Sequence, residues 1–203
     1  MLSPLQQRVA RIVTALPAAE GFALAGGAAL VLAEVVERET RDLDFFGATR
    51  AQVEHLVPEL EAAIRADGLE VAVRRAHGGF AHLTINGEDG EVTELDLGVD
   101  ARIRPAEIGP LGPMLALEEL AADKMLALFG RAQARDFVDV AALVERFGLE
   151  RLCELASEKD PASPERSSGR CWDRSIDCRR PTSASMTQNA HASPRRSAPG
   201  GTT

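Results

Sequence analysis

Asp42 and Asp44 are the residues whose type and spacing speak most directly of chemistry. They stand two apart in Asp42-Leu43-Asp44-Phe45-Phe46, a stretch that reads as a strand. Side chains alternate across a strand, so both carboxylates share one face, about 6.6 Å apart along it, while Leu43 and Phe45 take the other. Carboxylates placed like this repel unless a cation lies with them. The hard-cation reading is Mg²⁺, which takes carboxylate oxygens together with the phosphate oxygens of a substrate. Holding two such cations needs a third carboxylate on a neighbouring strand. Thr93-Glu94-Leu95-Asp96-Leu97 offers two candidates on one face. Upstream, Gly26-Gly27 reads as a tight turn at a helix N-terminus, where backbone N–H groups can face an anion.

The elements that must position these residues follow from pattern. Ser3-Pro4-Leu5-Gln6 combines a Ser cap, Pro at the first helical position and Gln three residues on, so a helix starts there and runs to Pro17. A short strand is expected over Phe22–Ala25, a helix over about Ala28–Glu37, and a strand carrying Asp42 and Asp44. Thr49-Arg50-Ala51-Gln52 is a second capping box, opening a helix to about Ala66. Strands are expected over Leu69–Arg75, Phe80–Asn86 and Glu91–Gly98, with turns at Gly78-Gly79 and Gly87–Gly90. Arg104–Pro113 reads as a loop. Helices are expected over Leu117–Phe129, Arg135–Phe147 and Leu149 to about Lys159, with Gly148 as a stop.

In this order, Gly-Gly, a helix, and Arg38-x-Thr40-x-Asp42-Leu43-Asp44-Phe45-Phe46 resemble the signature of the DNA polymerase β-type nucleotidyltransferase superfamily. Within it the likeness is to the AbiEii/AbiGii toxin family, the toxin half of bacterial toxin–antitoxin pairs. The resemblance implies an α/β (α+β) fold: a small mixed β-sheet with flanking helices, then a helical C-terminal part. It implies Mg²⁺-dependent transfer of a nucleotidyl group from an NTP to a hydroxyl, with an RNA (tRNA) acceptor and a cognate antitoxin as partners. Asp42, Asp44 and Asp96 would hold the metal, Asp96 matching the family's third acid better than Glu94. Gly26 and Gly27 would cradle phosphate. Ala28 stands where toxin members commonly carry Thr, which leaves only backbone donors there. Glu118-Glu119-Leu120 through Lys124 matches a pattern in which the lysine handles nucleotide, and Arg131, Arg135, Asp136 and Asp139 match Arg-x-x-x-Arg-Asp-x-x-Asp. That likeness makes Asp136 a catalytic candidate. Arg135 and Asp139 are also spaced for an intrahelical ion pair, and Arg38 is placed either to contact phosphate or to pair with the acidic strand end. His55, His77 and His82 have no partner pattern and read as surface or packing residues. A small-molecule nucleotidyltransferase and a non-catalytic remnant of the fold are the alternative readings.

Composition sets the outer bounds. The chain has 203 residues, 45% hydrophobic, and no apolar run long enough to cross a membrane, so no membrane partner is expected. The N-terminus lacks the apolar core of a secretory signal, which reads as cytoplasmic. A net charge of −8 argues against a broad basic face for nucleic acid, so any RNA needs a local patch. Only two lysines, Lys124 and Lys159, accompany 21 arginines. The three cysteines, Cys153, Cys171 and Cys178, have neither zinc-site nor disulfide spacing. A nucleotidyltransferase-like domain is expected over 1–160, its sheet part at about 20–100 and its helical part at about 115–160. Residues 161–203, rich in Arg, Ser and Pro, read as a disordered tail or the product of a shifted frame. In the second case Leu143, Leu149 and Leu152 would be left exposed.

Overall fold

The computed structural model describes residues 1–161, residue 89 excepted, so the expectation for the tail lies outside the described residues. Seven strands form one mixed sheet in the order β3-β4-β5-β2-β1-β7-β6. In chain order these are β1 (Ala23–Ala25), β2 (Asp42–Gly47), β3 (Glu70–His77), β4 (Phe80–Asn86), β5 (Val92–Val99), β6 (Glu107–Gly109) and β7 (Gly112–Met114). The helices are α1 (Pro4–Ala15), α2 (Gly26–Leu32), α3 (Arg50–Ala66), α4 (Leu117–Gly130), α5 (Ala134–Phe147) and α6 (Leu149–Lys159).

Period-two alternation sorts the central strands into two faces. Leu43, Phe45, Leu83, Ile85, Leu95 and Leu97 are buried on one face, where α1 and α3 cover them. Each such side chain contributes about 1.5–3 kcal/mol by leaving water. Both capping boxes form: Ser3 with Gln6 opens α1, and Thr49 with Gln52 opens α3. The other face carries Asp42, Asp44, Asp96 and His82, half-buried beside the packed helices α4, α5 and α6. Of the three leucines named for a replaced C-terminus, Leu143 and Leu152 are fully buried and Leu149 is half-buried.

Two elements depart from the sequence reading. The expected loop over 104–113 contains β6 and the start of β7, which pair as a small hairpin. β7 also runs parallel to β1, with Leu24 opposite Met114 and the Leu115 N–H donating to the Leu24 carbonyl. The buried edge of β1 needs partners for its backbone groups, and that demand outweighs the local turn signals of Pro110 and Pro113. The helix expected to reach Glu37 ends at Leu32. Val35 N–H donates to Leu30 O and Glu34 N–H to Val31 O, with Glu34 at φ 54°. This is a Schellman stop built without glycine, so no residue announces it.

Candidate active site

The site is assembled by register. β2 and β5 run parallel with Asp44 opposite Asp96 and Asp42 opposite Glu94, so acids about fifty positions apart in sequence become neighbours. On its other side Asp44 lies opposite Ala25 of β1, directly before the glycine turn. A Cβ on Gly27 would come within 2.7 Å of Arg38 Nη2 and 3.1 Å of Thr40 Oγ1. The two glycines are therefore needed for close approach to the acids and to Arg38, beyond any wish for a turn. Gly26 has φ 63° and Gly27 lines the cleft.

Each acid has a different environment. Thr40 Oγ1 donates to Asp42 Oδ1 at 3.0 Å, and Arg135 Nη1 reaches Asp42 Oδ2 at 3.1 Å. Burial works to raise Asp42, but these partners hold it below the ordinary carboxylate range. Asp96 Oδ1 lies 2.6 Å from His82 Nδ1, its cross-strand neighbour on β4. Asp44 has no hydrogen-bond partner for its carboxylate among the described residues. Burial first, then the charges of Asp42 and Asp96, push it up to about 6 against the opposing pull of Lys124 and Arg135. A carboxylate so crowded by negative charge is one that a bound cation would relieve.

Cations close the other side. Asp139, fully buried, receives Arg38 through two bonds of 2.8 Å and Lys124 at 2.9 Å. Burial alone would raise Asp139, but the bonds from Arg38 and Lys124 bring it below its usual range. Asp136 takes two 3.0 Å bonds from Arg131 and one from the Gln133 N–H, which caps α5. Arg38, Lys124, Arg131 and Arg135 thus converge with Asp42, Asp44, Asp96 and Gly27 on a cleft of about 70 Å³. Asp136 lies behind it and is engaged in holding Arg131. The expected Arg135–Asp139 ion pair is absent among the described residues: Arg135 crosses to Asp42, and Asp139 is already saturated by Arg38 and Lys124. Arg38 pairs with Asp139 of α5 rather than with the acidic strand end, and it also lines the cleft.

Two functional features escape the sequence reading. His82 reads as a surface or packing residue and instead holds Asp96. Alternation along β4 places it on the acids' face, but only the β4–β5 register identifies its partner. The second is a separate acidic cluster. Among the described residues, the carboxylates whose oxygens all lie within 4.8 Å of one another are Asp100, Glu119 and Asp123 rather than the β2–β5 trio. Lys159 fills their midst, 2.6 Å from Asp100 and Glu119 and also paired with Asp123. Burial lifts Asp123 to about 7 in spite of Lys159.

A mixed sheet that sets an acid pair opposite a third acid, with a glycine turn at one end and the cationic side chains of Lys124, Arg131 and Arg135 beyond, is a nucleotidyltransferase-like arrangement. JHP933 from Helicobacter pylori superposes with TM-score 0.56 at 22% identity, over 77% of this chain and 73% of that one. The nucleotidyltransferase toxin MenT4 (Rv2826c) from Mycobacterium tuberculosis H37Rv superposes with TM-score 0.56 at 23% identity, over 73% of this chain and 59% of that one. No curated protein matches the sequence. The family description "Nucleotidyl transferase AbiEii toxin, Type IV TA system" matches residues 9–167, and the chain belongs to that family. Among the described residues no helix is long and apolar enough to cross a membrane.

Proposed function

We propose that this protein is a Mg²⁺-dependent toxin nucleotidyltransferase that moves a nucleotidyl group from an NTP to a hydroxyl of an RNA acceptor such as tRNA, restrained in the cytoplasm by a cognate antitoxin. The observation that carries the reading is the register that sets Asp44 beside Asp96 with Asp42 on the same face. Asp42, Asp44 and Asp96 would hold the metal, and the unpartnered, crowded Asp44 is the strongest sign that they suit one. Bound Mg²⁺ would supply charge neutralisation at the phosphates and lower the pKa of the acceptor hydroxyl.

The protein's own groups divide the remaining work. Lys124, Arg131 and Arg135 face the cleft as donors for the triphosphate, and Arg38 steadies Asp139, which in turn positions Lys124. Gly26 and Gly27 let the turn approach the phosphates without a side chain intervening. Asp96, oriented by His82, accepts the acceptor's proton as its oxygen bonds to the α-phosphorus. The bond from that phosphorus to the bridging oxygen breaks and pyrophosphate departs. Asp136 acts indirectly, by holding Arg131. Arg135 lies on Asp42 in this structure. On NTP binding Arg135 would turn from Asp42 to the triphosphate, and Asp42 would be left to hold metal.

Incubation with each labelled NTP, Mg²⁺ and total RNA, beside the Asp44→Asn variant, tests the reading. Label transfer to RNA by the native protein alone is expected. Equal transfer by Asp44→Asn would refute the assignment.

A further inference from the structure

The sheet's outer edge carries a second feature. The pairing of β3 with β4 slips between Val73 and Arg75, leaving Arg74 as the extra residue of a β-bulge. A bulge puts successive side chains on one face. Arg74 Nε donates to Thr84 Oγ1 at 3.1 Å, and Arg75 lies directly opposite His82. Both therefore reach the face that carries Asp96. The register continues without a break: Arg75, His82, Asp96 and Asp44 form one row across four strands. With strands about 4.8 Å apart, Arg75 stands about 10 Å from the Asp96 backbone.

These two arginines are exposed and differ from most of the other arginines among the described residues. Arg8, Arg38, Arg104, Arg131 and Arg151 are all matched to carboxylates. Arg74 and Arg75 form no ion pair among the described residues. Arg75 instead lies over the Phe80 ring, 5.6 Å from its centroid, and donates to His77 Nε2 at 2.7 Å. Neutral partners fix its direction and leave its charge uncompensated, in a protein whose net charge is −8. Glu94, opposite Thr84, is the acid that bounds the strip toward the far end of β5. The other basic groups at the acids, Lys124, Arg131 and Arg135, come from α4 and α5 on the opposite flank.

We infer that the β3 bulge is the acceptor's entry platform: the strand end of a nucleic acid crosses the β3 edge with its phosphates on Arg74 and Arg75 and its bases against Phe80, delivering a terminal hydroxyl to Asp96. This rests on the transferase reading for the hydroxyl's destination, and adds the surface that guides it there. Exposed cations interleaved with an aromatic ring, leading into a site, are what a single strand requires of a protein that is acidic elsewhere. Edge protection alone would be served by arginines facing either side.

The test is fluorescence anisotropy of a labelled single-stranded RNA oligonucleotide with the full chain, without NTP, across a salt series. Arg74→Ala/Arg75→Ala should weaken binding tenfold or more. It should also lower the slope of log K against log salt by about 1.4, the value for two phosphate contacts on a single strand. Arg11→Ala/Arg146→Ala removes the same charge elsewhere and should change affinity less than threefold, and NTP binding should be unaffected in both. Equal losses in the two variants, or no RNA binding by the native protein, would overturn the platform. Nucleotidyl transfer to a small acceptor without RNA binding would sink the platform and spare the transferase. RNA bound through Arg74 and Arg75 without any transfer would do the reverse.

Discussion

A methyl group on Gly26 would stand 1.8 Å from Asp44 Oδ2 and 2.7 Å from its Cγ. Relieving both contacts takes Asp44 out of its observed rotamer, its Cβ stays tight at 3.1 Å, and φ 63° already disfavours any L-residue there by about 1–2 kcal/mol. Gly26→Ala is expected to lower Tm by at least about 2–4 °C for each kcal/mol lost. It should also abolish transfer by displacing Asp44. Native Tm with native activity would show that the turn can move without cost.

Asp44→Asn should separate stability from activity. The folded carboxyl titrates at about 6, above the unfolded value of about 3.9. Native protein therefore binds more protons than unfolded protein between those values, and stability falls as pH rises through the window. The amide removes that loss. The metal-free variant should be more stable than the native protein by about 1–3 kcal/mol at pH 7–8, with the difference vanishing below about pH 4. Denaturant melts at the two pH values, beside a Mg²⁺ titration in which the variant binds more weakly, provide the check.

A lysine that only met nucleotide would have little effect on melting. Lys124 is instead buried against Asp139, so both its stability and its kinetics should respond. Lys124→Met leaves Asp139 with the two bonds from Arg38 and should cost about 1–2 kcal/mol together with a higher KM for NTP. Asp139→Ala strands two cations, one of them buried, and should cost about 3–5 kcal/mol. Urea melts of the two variants should show that ordering, and the reverse would place the weight of the cluster on Lys124.

Much of this site is legible in the sequence. Asp42 and Asp44 can be placed on one face because strand alternation is local and strict, Asp96 through the family resemblance, and both capping boxes because their signals span four residues. Pairing is another matter. The bond of His82 to Asp96, the reach of Arg135 to Asp42 and the sharing of Asp139 by Arg38 and Lys124 all depend on register or helix docking across tens of residues. The early end of α2 is hidden for another reason: Glu34 takes a left-handed conformation usually marked by glycine. The β6–β7 hairpin is hidden because the need it satisfies belongs to β1, about ninety residues away.

Lys159 is the cation that closes the Asp100, Glu119 and Asp123 cluster. A chain ended after Asp160 keeps the ammonium among Asp100, Glu119 and Asp123; one ended after Glu158 leaves three carboxylates facing one another with no counter-charge. Two codons therefore separate a tolerated stop from a damaging one, by about 3–5 kcal/mol if the bared acids behave as broken buried pairs do. Melting the two truncations side by side should show a cooperative transition near that of the full chain for the longer and a large drop for the shorter. Upstream of that codon a single lost base disrupts the domain.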